Sequence, residues 1–165
     1  MCKSIIYREY KECDFYDILK ITLNTWEYEK YLSYDTAKLA AELDLLCYLN
    51  EQNIIYVAQA DDKVIGFIIG KIASEHSNGI FSSRICKLKS MIRKRKEALL
   101  ISLFRYKMSR INKKLLSSSN INYDAELQFF AIDKNYRGLG VGKQLFNMYL
   151  DYINNKGAET VKVFL

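Results

Sequence analysis

Asp133-Lys134-Asn135-Tyr136-Arg137-Gly138-Leu139-Gly140-Val141-Gly142-Lys143 is the stretch on which the reading of this chain turns. An apolar run before it, Ala125 to Ile132, reads as a buried strand. After it, residues 143–155 place Leu145, Met148, Tyr149 and Tyr152 at helical spacing, and Gly157 ends that helix as a C-cap. A strand feeding a glycine-rich turn that opens a helix is suited to hold phosphate. The first N–H groups of the helix lack partners, the helix dipole is positive there, and a Cβ at the glycines would keep an anion off the backbone.

Two familiar phosphate-binding patterns fit poorly. A Walker loop needs Ser or Thr after Gly-Lys, and Gln144 follows Gly142-Lys143, so the magnesium ligand is missing. A dinucleotide fingerprint needs Gly-x-Gly-x-x-Gly near the start of a βαβ unit, whereas Gly138, Gly140 and Gly142 alternate and lie late in the chain.

Upstream, Ser4 to Tyr10 alternates and reads as a first strand. Asp14 is placed to cap a helix whose apolar face is Phe15, Ile18, Leu19, Thr22, Leu23 and Trp26. A second helix begins near Asp35 and presents Ala40, Leu43, Leu46, Cys47 and Asn50. Ile54 to Ala60 and Val64 to Ile72 form a hairpin about Asp61-Asp62-Lys63, with Gly66 and Gly70 marking a bulge or a close backbone approach. From Gly79 to Gly138 there is neither Gly nor Pro. In that interval Ile85, Leu88, Ile92, Leu99, Leu103, Ile111 and Leu115 suit one face of one long or two shorter basic amphipathic helices.

Arg137-x-x-Gly140-x-Gly142, preceded by a strand and by Tyr136, resembles the acyl-CoA pyrophosphate signature of the GNAT superfamily of N-acetyltransferases. The order of elements is similar to that superfamily over nearly all of the chain except the basic segment. The resemblance implies an α/β (α+β) fold with a mixed central sheet, over a single domain of residues 1–165. It further implies acetyl-CoA as co-substrate, no metal, and direct attack of a primary amine, from a small molecule or a peptide, on the thioester. Backbone amides of Arg137, Gly138, Leu139, Gly140, Val141 and Gly142, with Lys143 beside them, are implied to hold the pyrophosphate. Main-chain groups of Phe130, Ala131 and Ile132 are implied to pair with the pantetheine arm, in the gap where that strand splays from the next, Thr160 to Leu165. Glu126, near the entrance of the pantetheine strand, is the first candidate for general base, and Asp124 is the runner-up. The loop Trp26 to Tyr34, with Glu27 and Glu29, stands where such enzymes build the acceptor pocket. The sequence departs from the pattern in stopping at Leu165, inside the fifth strand, so the family's C-terminal strands are expected to be missing, and the chain is expected to be either a truncated form of the protein or part of a homo-oligomer that covers the open sheet edge.

The basic segment, an insertion at about residues 80–118, is the other departure. The chain has 165 residues, 25 basic, 19 acidic and no proline. Twelve of the basic residues and a single acid, Glu97, lie between Ser83 and Leu116, so an acidic body of 13 basic and 18 acidic residues carries one basic element. Such an element is expected to pack as a helical lid, to meet an anionic membrane or polyanion through residues 84–114, or to bind an anionic acceptor or the CoA phosphates. It contains no recognised nucleic-acid-reading motif. The alternative to an enzyme is therefore a truncated or degenerate acyl-CoA-binding module that docks on a membrane or polyanion through these helices. Cys2, Cys13, Cys47 and Cys86 are dispersed and His76 is the only histidine, a poor inventory for a metal site. Scattered thiols, the lack of an N-terminal apolar stretch and the lack of a membrane-length apolar run make the expected location cytoplasmic.

Overall fold

The computed structural model describes residues 4–75, 79–119 and 122–163. The chain runs β1 (Ile6–Glu9), α1 (Phe15–Trp26), α2 (Tyr34–Glu51), β2 (Ile54–Ala60), β3 (Lys63–Ile72), α3 (Ser82–Arg93), α4 (Ala98–Ser119), β4 (Ala125–Ile132), α5 (Val141–Asn155) and β5 (Val161–Val163). The five strands form one sheet in sequence order, antiparallel from β1 to β4 and parallel between β4 and β5. This is the mixed sheet expected from the element order. The fifth strand is described over Val161–Val163, and Phe164 and Leu165, which the apolar run includes, lie outside the described residues.

Two cores sandwich the sheet. On one face α1 and α2 cover Val57, Phe67, Ile69, Phe129 and Ala131, and on the other α5 lays Leu145, Tyr149 and Ile153 over Ile68, Ile72 and Leu127. The hairpin turn is Asp61-Asp62, both with positive φ (48° and 60°), the backbone that matches the twist of a two-residue hairpin. Both glycines of β3 sit where a neighbour comes close. A Cβ at Gly70 would stand 2.3 Å from the Tyr149 ring, and one at Gly66 would stand 2.5 Å from Ile132. Bulges lie beside each of them, in the β2–β3 and β3–β4 registers.

Asp14 stands at the N-cap of α1, but its side chain does not cap that helix. It accepts instead from the Arg8 guanidinium, at 2.7 and 2.8 Å, and from the Lys11 N–H at 2.7 Å. Burial alone would raise the Asp14 carboxyl. The hydrogen bonds from Arg8 and Lys11 outweigh it and hold the group below the ordinary carboxylate range. A depressed native pKa means stability that is present at neutral pH and lost as pH falls through it. Asp14→Asn is expected to cost about 3 kcal/mol in urea unfolding at pH 7 by stranding Arg8. The gap to wild type should begin to narrow below about pH 4, where the unfolded carboxylate protonates, and close only once the pH has fallen through the lower native pKa.

The basic insertion is two helices, and their apolar faces have different fates. Ile85, Leu88 and Ile92 of α3 are buried against α2, each contributing about 2 kcal/mol by area. This explains why α2 buries Leu43 and Leu46 as expected but also Ala37, Ala41 and Leu45: it has the sheet on one side and α3 on the other. Arg84 clasps Glu42 at 2.5 Å and lies over the Phe15 ring, while the Phe81 N–H donates to Asn50 Oδ1. The expected single face stops there. Leu99, Leu103, Ile111 and Leu115 of α4 are all exposed. The start of α4 is fastened: Glu97 accepts from the N–H and hydroxyl of Ser33, Ile101 packs on the core, and Arg105 pairs with Asp44. The hydrogen bonds from Ser33 hold the Glu97 carboxyl below its ordinary range.

Candidate functional site

The glycine-rich turn leaves the sheet at Ile132. Lys134–Tyr136 makes one turn of 3-10 helix, closed by the Asn135 N–H on the Asp133 carboxylate at 2.9 Å. Arg137 reaches back and donates from Nε to the Ile132 carbonyl at 3.1 Å. Gly140 then caps α5 with φ of 78°, a left-handed conformation that a side chain strains, and the helix opens at Val141, two residues earlier than the spacing predicts. Its first intrahelical bond runs from the Gln144 N–H to the Gly140 carbonyl, so the N–H groups of Val141, Gly142 and Lys143 have no partner within the helix. Arg137, Gly138, Leu139, Gly140 and Lys143 are exposed. Gly142 rests on Phe130, whose Cζ would lie 3.2 Å from a Cβ there.

From the turn, β4 runs back as an edge. β5 pairs with it only at Ala125, Glu126 and Leu127, and among the described residues no strand flanks Gln128 to Ile132 on that side. Phe130, Ala131 and Ile132 therefore present main-chain groups along the gap. At its closed end sits a bulge. Ile69 opposes Phe129 and Gly70 opposes Leu127, so Gln128 is an extra residue, and its side-chain oxygen is buried with no hydrogen-bond partner among the described residues. The bulge turns Phe129 to the α1–α2 face. There Trp26 and Tyr48 flank it, with ring centroids 4.3 and 4.7 Å away.

Glu126 lies two residues before the bulge, with Lys71 and Lys162 as its register partners on either side. Its Oε2 meets Lys162 Nζ at 2.9 Å. Its charge is felt on both faces of the sheet. Burial first, and the Glu126 charge after it, pushes the Tyr48 hydroxyl up on one side and the Tyr149 hydroxyl up to about 12 on the other. Asp124 is otherwise engaged. Its carboxylate accepts from the Thr160 hydroxyl at 2.8 Å and from the N–H groups of Glu159 and Thr160, bonds that hold it below the ordinary range. It ties the entry of β5 to β4, which takes the runner-up base out of reach of that role.

In the loop before α2, Tyr28 donates to Asp44 at 2.8 Å, and its hydroxyl is pushed up to about 12, chiefly by burial. Glu27 is paired with Lys30. Residue-by-residue reading missed Tyr48, Phe129, Gln128 and Lys162, all brought in by partners distant in sequence. Tyr149 offers a direct test of the packing behind the site. Its hydroxyl is buried without a partner among the described residues. Tyr149→Phe removes that unsatisfied group, so the variant should be more stable than wild type by about 1 kcal/mol in urea unfolding.

Comparison with known proteins follows the same lines. Residues 109–165 match the acetyltransferase (GNAT) family. No curated protein matches the sequence. Among solved structures, the GCN5-related glucosamine N-acetyltransferase region of a fungal multi-domain GH3 β-N-acetylglucosaminidase superposes with a TM-score of 0.57 at 14% identity, covering 100% of this chain and 14% of that one. The aminoglycoside acetyltransferase AAC(6')-Iy, solved with a CoA bisubstrate analogue, gives 0.52 at 16% identity, over 98% and 80% of the two chains. A GNAT family acetyltransferase from Brucella melitensis, solved with acetyl-CoA, gives 0.53 at 13% identity, over 98% and 75%. At these identities the likeness is one of fold. The chain spans about one seventh of the fungal protein and most of the other two.

Proposed function

We propose that this chain, whose residues 109–165 match the GNAT family and whose fold is similar to GNAT acetyltransferases over its length, is a member of that family and transfers an acetyl group from acetyl-CoA to a primary amine. The observation that carries the reading is continuity. The partnerless N–H groups that open α5 lead directly into the open edge of β4, and that edge ends at the Gln128 bulge beside Glu126. From Ile132 to Glu126 is about 20 Å of strand, a span that an extended pantetheine arm bridges.

In this reading the amides of Arg137 to Gly142 and the Lys143 side chain bind the pyrophosphate. Main-chain groups of Phe130 to Ile132 pair with the pantetheine amides as an added strand would. The thioester then lies by the bulge, where the amine enters from the Trp26, Tyr48 and Phe129 face. Of these rings Trp26 is exposed, and it gives an ammonium group a cation–π surface on its way in. Glu126 takes one proton from the ammonium, the amine lone pair attacks the carbonyl carbon, the C–S bond breaks, and the departing CoA thiolate takes up the second proton that nitrogen loses as the amide forms. No covalent link to the protein forms. Catalysis is mainly a matter of holding amine and thioester together and removing one proton.

A thiol-release assay across a panel of amines, run alongside thermal melts, tests the proposal. Acetyl-CoA alone should raise the melting temperature, and free thiol should appear only when an amine is added. An unmoved melting temperature at millimolar acetyl-CoA would refute it.

A further inference from the structure

Helix α4 is the largest feature that acetyl transfer leaves unused. Over Ala98–Ser119 it carries five cations, Arg105, Lys107, Arg110, Lys113 and Lys114, and no acid. Ile101 and Arg105, one turn apart, face α2. By helical geometry Leu99, Leu103 and Arg110 lie on the opposite side, with Leu100, Phe104 and Lys107 on the adjoining ridge. The outward surface is thus apolar over its first two turns and basic beyond them. Leu99, Phe104 and Leu103 are 69%, 65% and 56% exposed. α3 has no such surface, because Ile85, Leu88 and Ile92 are buried against α2 and Met91 stands as a single exposed large apolar side chain.

We infer that α4 seats the protein on a lipid bilayer bearing anionic headgroups. Leu99, Leu100, Leu103 and Phe104 enter the interface while Lys107, Arg110 and Lys114 meet the headgroups. Charge and apolarity together select this occupant. A second copy that met α4 with its own α4 would set five cations against five with no acid between them. A nucleic acid would engage the cations and leave the leucines and Phe104 in water. An anionic bilayer surface receives both. No helix among the described residues is long and apolar enough to cross a membrane, so α4 lies along the surface. The inference is independent of acetyl transfer.

Co-sedimentation of the full chain with phospholipid vesicles decides it. Binding should appear with vesicles containing about 30% phosphatidylserine and not with phosphatidylcholine alone, and it should weaken in about 0.5 M salt. The double variant Leu103→Glu/Phe104→Glu should lose at least about tenfold in binding, as should Lys107→Glu/Arg110→Glu. Both pairs are on the surface, so melting temperatures should stay at the wild-type value, which separates lost docking from lost folding. Absence of binding to anionic vesicles overturns the inference, and so does binding that both variants retain. A dimer in sedimentation velocity that Leu103→Glu/Phe104→Glu dissociates, with no vesicle binding, would assign the face to a second copy. Capture of an acidic protein with no vesicle binding would equally count against the bilayer.

Discussion

Gly140→Trp is expected to abolish the rise in melting temperature that the proposed binding of acetyl-CoA should give the wild-type protein. At a concentration of about one hundred times Kd, a ligand bound only by the folded state adds about 2.7 kcal/mol of stability. For a chain of this length that is a rise of roughly 5–10 °C. A tryptophan at Gly140 loses it in two ways. The residue has φ of 78°, where any L side chain costs about 1–2 kcal/mol, so the turn relaxes away from the geometry that aims its N–H groups. The indole also fills open ground, since nothing lies within 4 Å of a Cβ there, which is the volume the pyrophosphate would need. The variant should melt somewhat lower on its own, and the measurement is the increment on adding ligand. Arg137→Glu provides an independent check, because that side chain is exposed and its reversal repels phosphate at a residue with ordinary backbone angles, losing only the hydrogen bond to the Ile132 carbonyl. If both variants keep the full increment, acetyl-CoA is held elsewhere and the proposed cofactor site is wrong.

Glu126→Gln has the largest expected effect on rate. A positioned general base contributes on the order of a hundredfold to ten-thousandfold, so kcat should fall by at least about a hundred. Glutamine keeps the shape and the packing beside Lys162 but cannot take a proton. The acetyl-CoA increment in melting temperature should therefore survive intact, which separates a chemical role from a structural one. Glu126→Asp should recover part of the lost rate. A Glu126→Gln enzyme within threefold of wild type in kcat would remove Glu126 from the mechanism.

The outline of the fold is legible locally because its strands and turns are punctuated locally. Ala125–Ile132 and the hairpin about Asp61-Asp62 are apolar, β-branched and aromatic runs bounded by turn residues, and the helix after the glycines has a strict apolar period. What escaped depends on what stands opposite. Periodicity put seven residues of the basic segment on one face but holds no information on which are buried, and three are buried against α2 while four are exposed. Asp14 has the residue type and position of a cap, yet Arg8 on β1 claims its carboxylate. The bulge at Gln128 is a property of the pairing with β3, invisible in the string Leu127-Gln128-Phe129 itself. The setting of Glu126 is unreadable for the same reason, since Lys71 and Lys162 reach it from two other strands.

The pairing of β3 with β4 has a kinetic side. Residues 73–124 separate the two strands, whereas two residues separate β2 from β3. Closing so long a loop costs about 2 kcal/mol more in chain entropy than closing one of four residues. Docking α3 on α2 early would shorten the free span by bringing its start, through Phe81 and Asn50, alongside the body already formed. A helix outside the common order of elements thus helps decide how fast the strand bearing Glu126 and Phe130 finds its place. Mutations at Ile85 or Leu88 would then slow folding as well as lower stability.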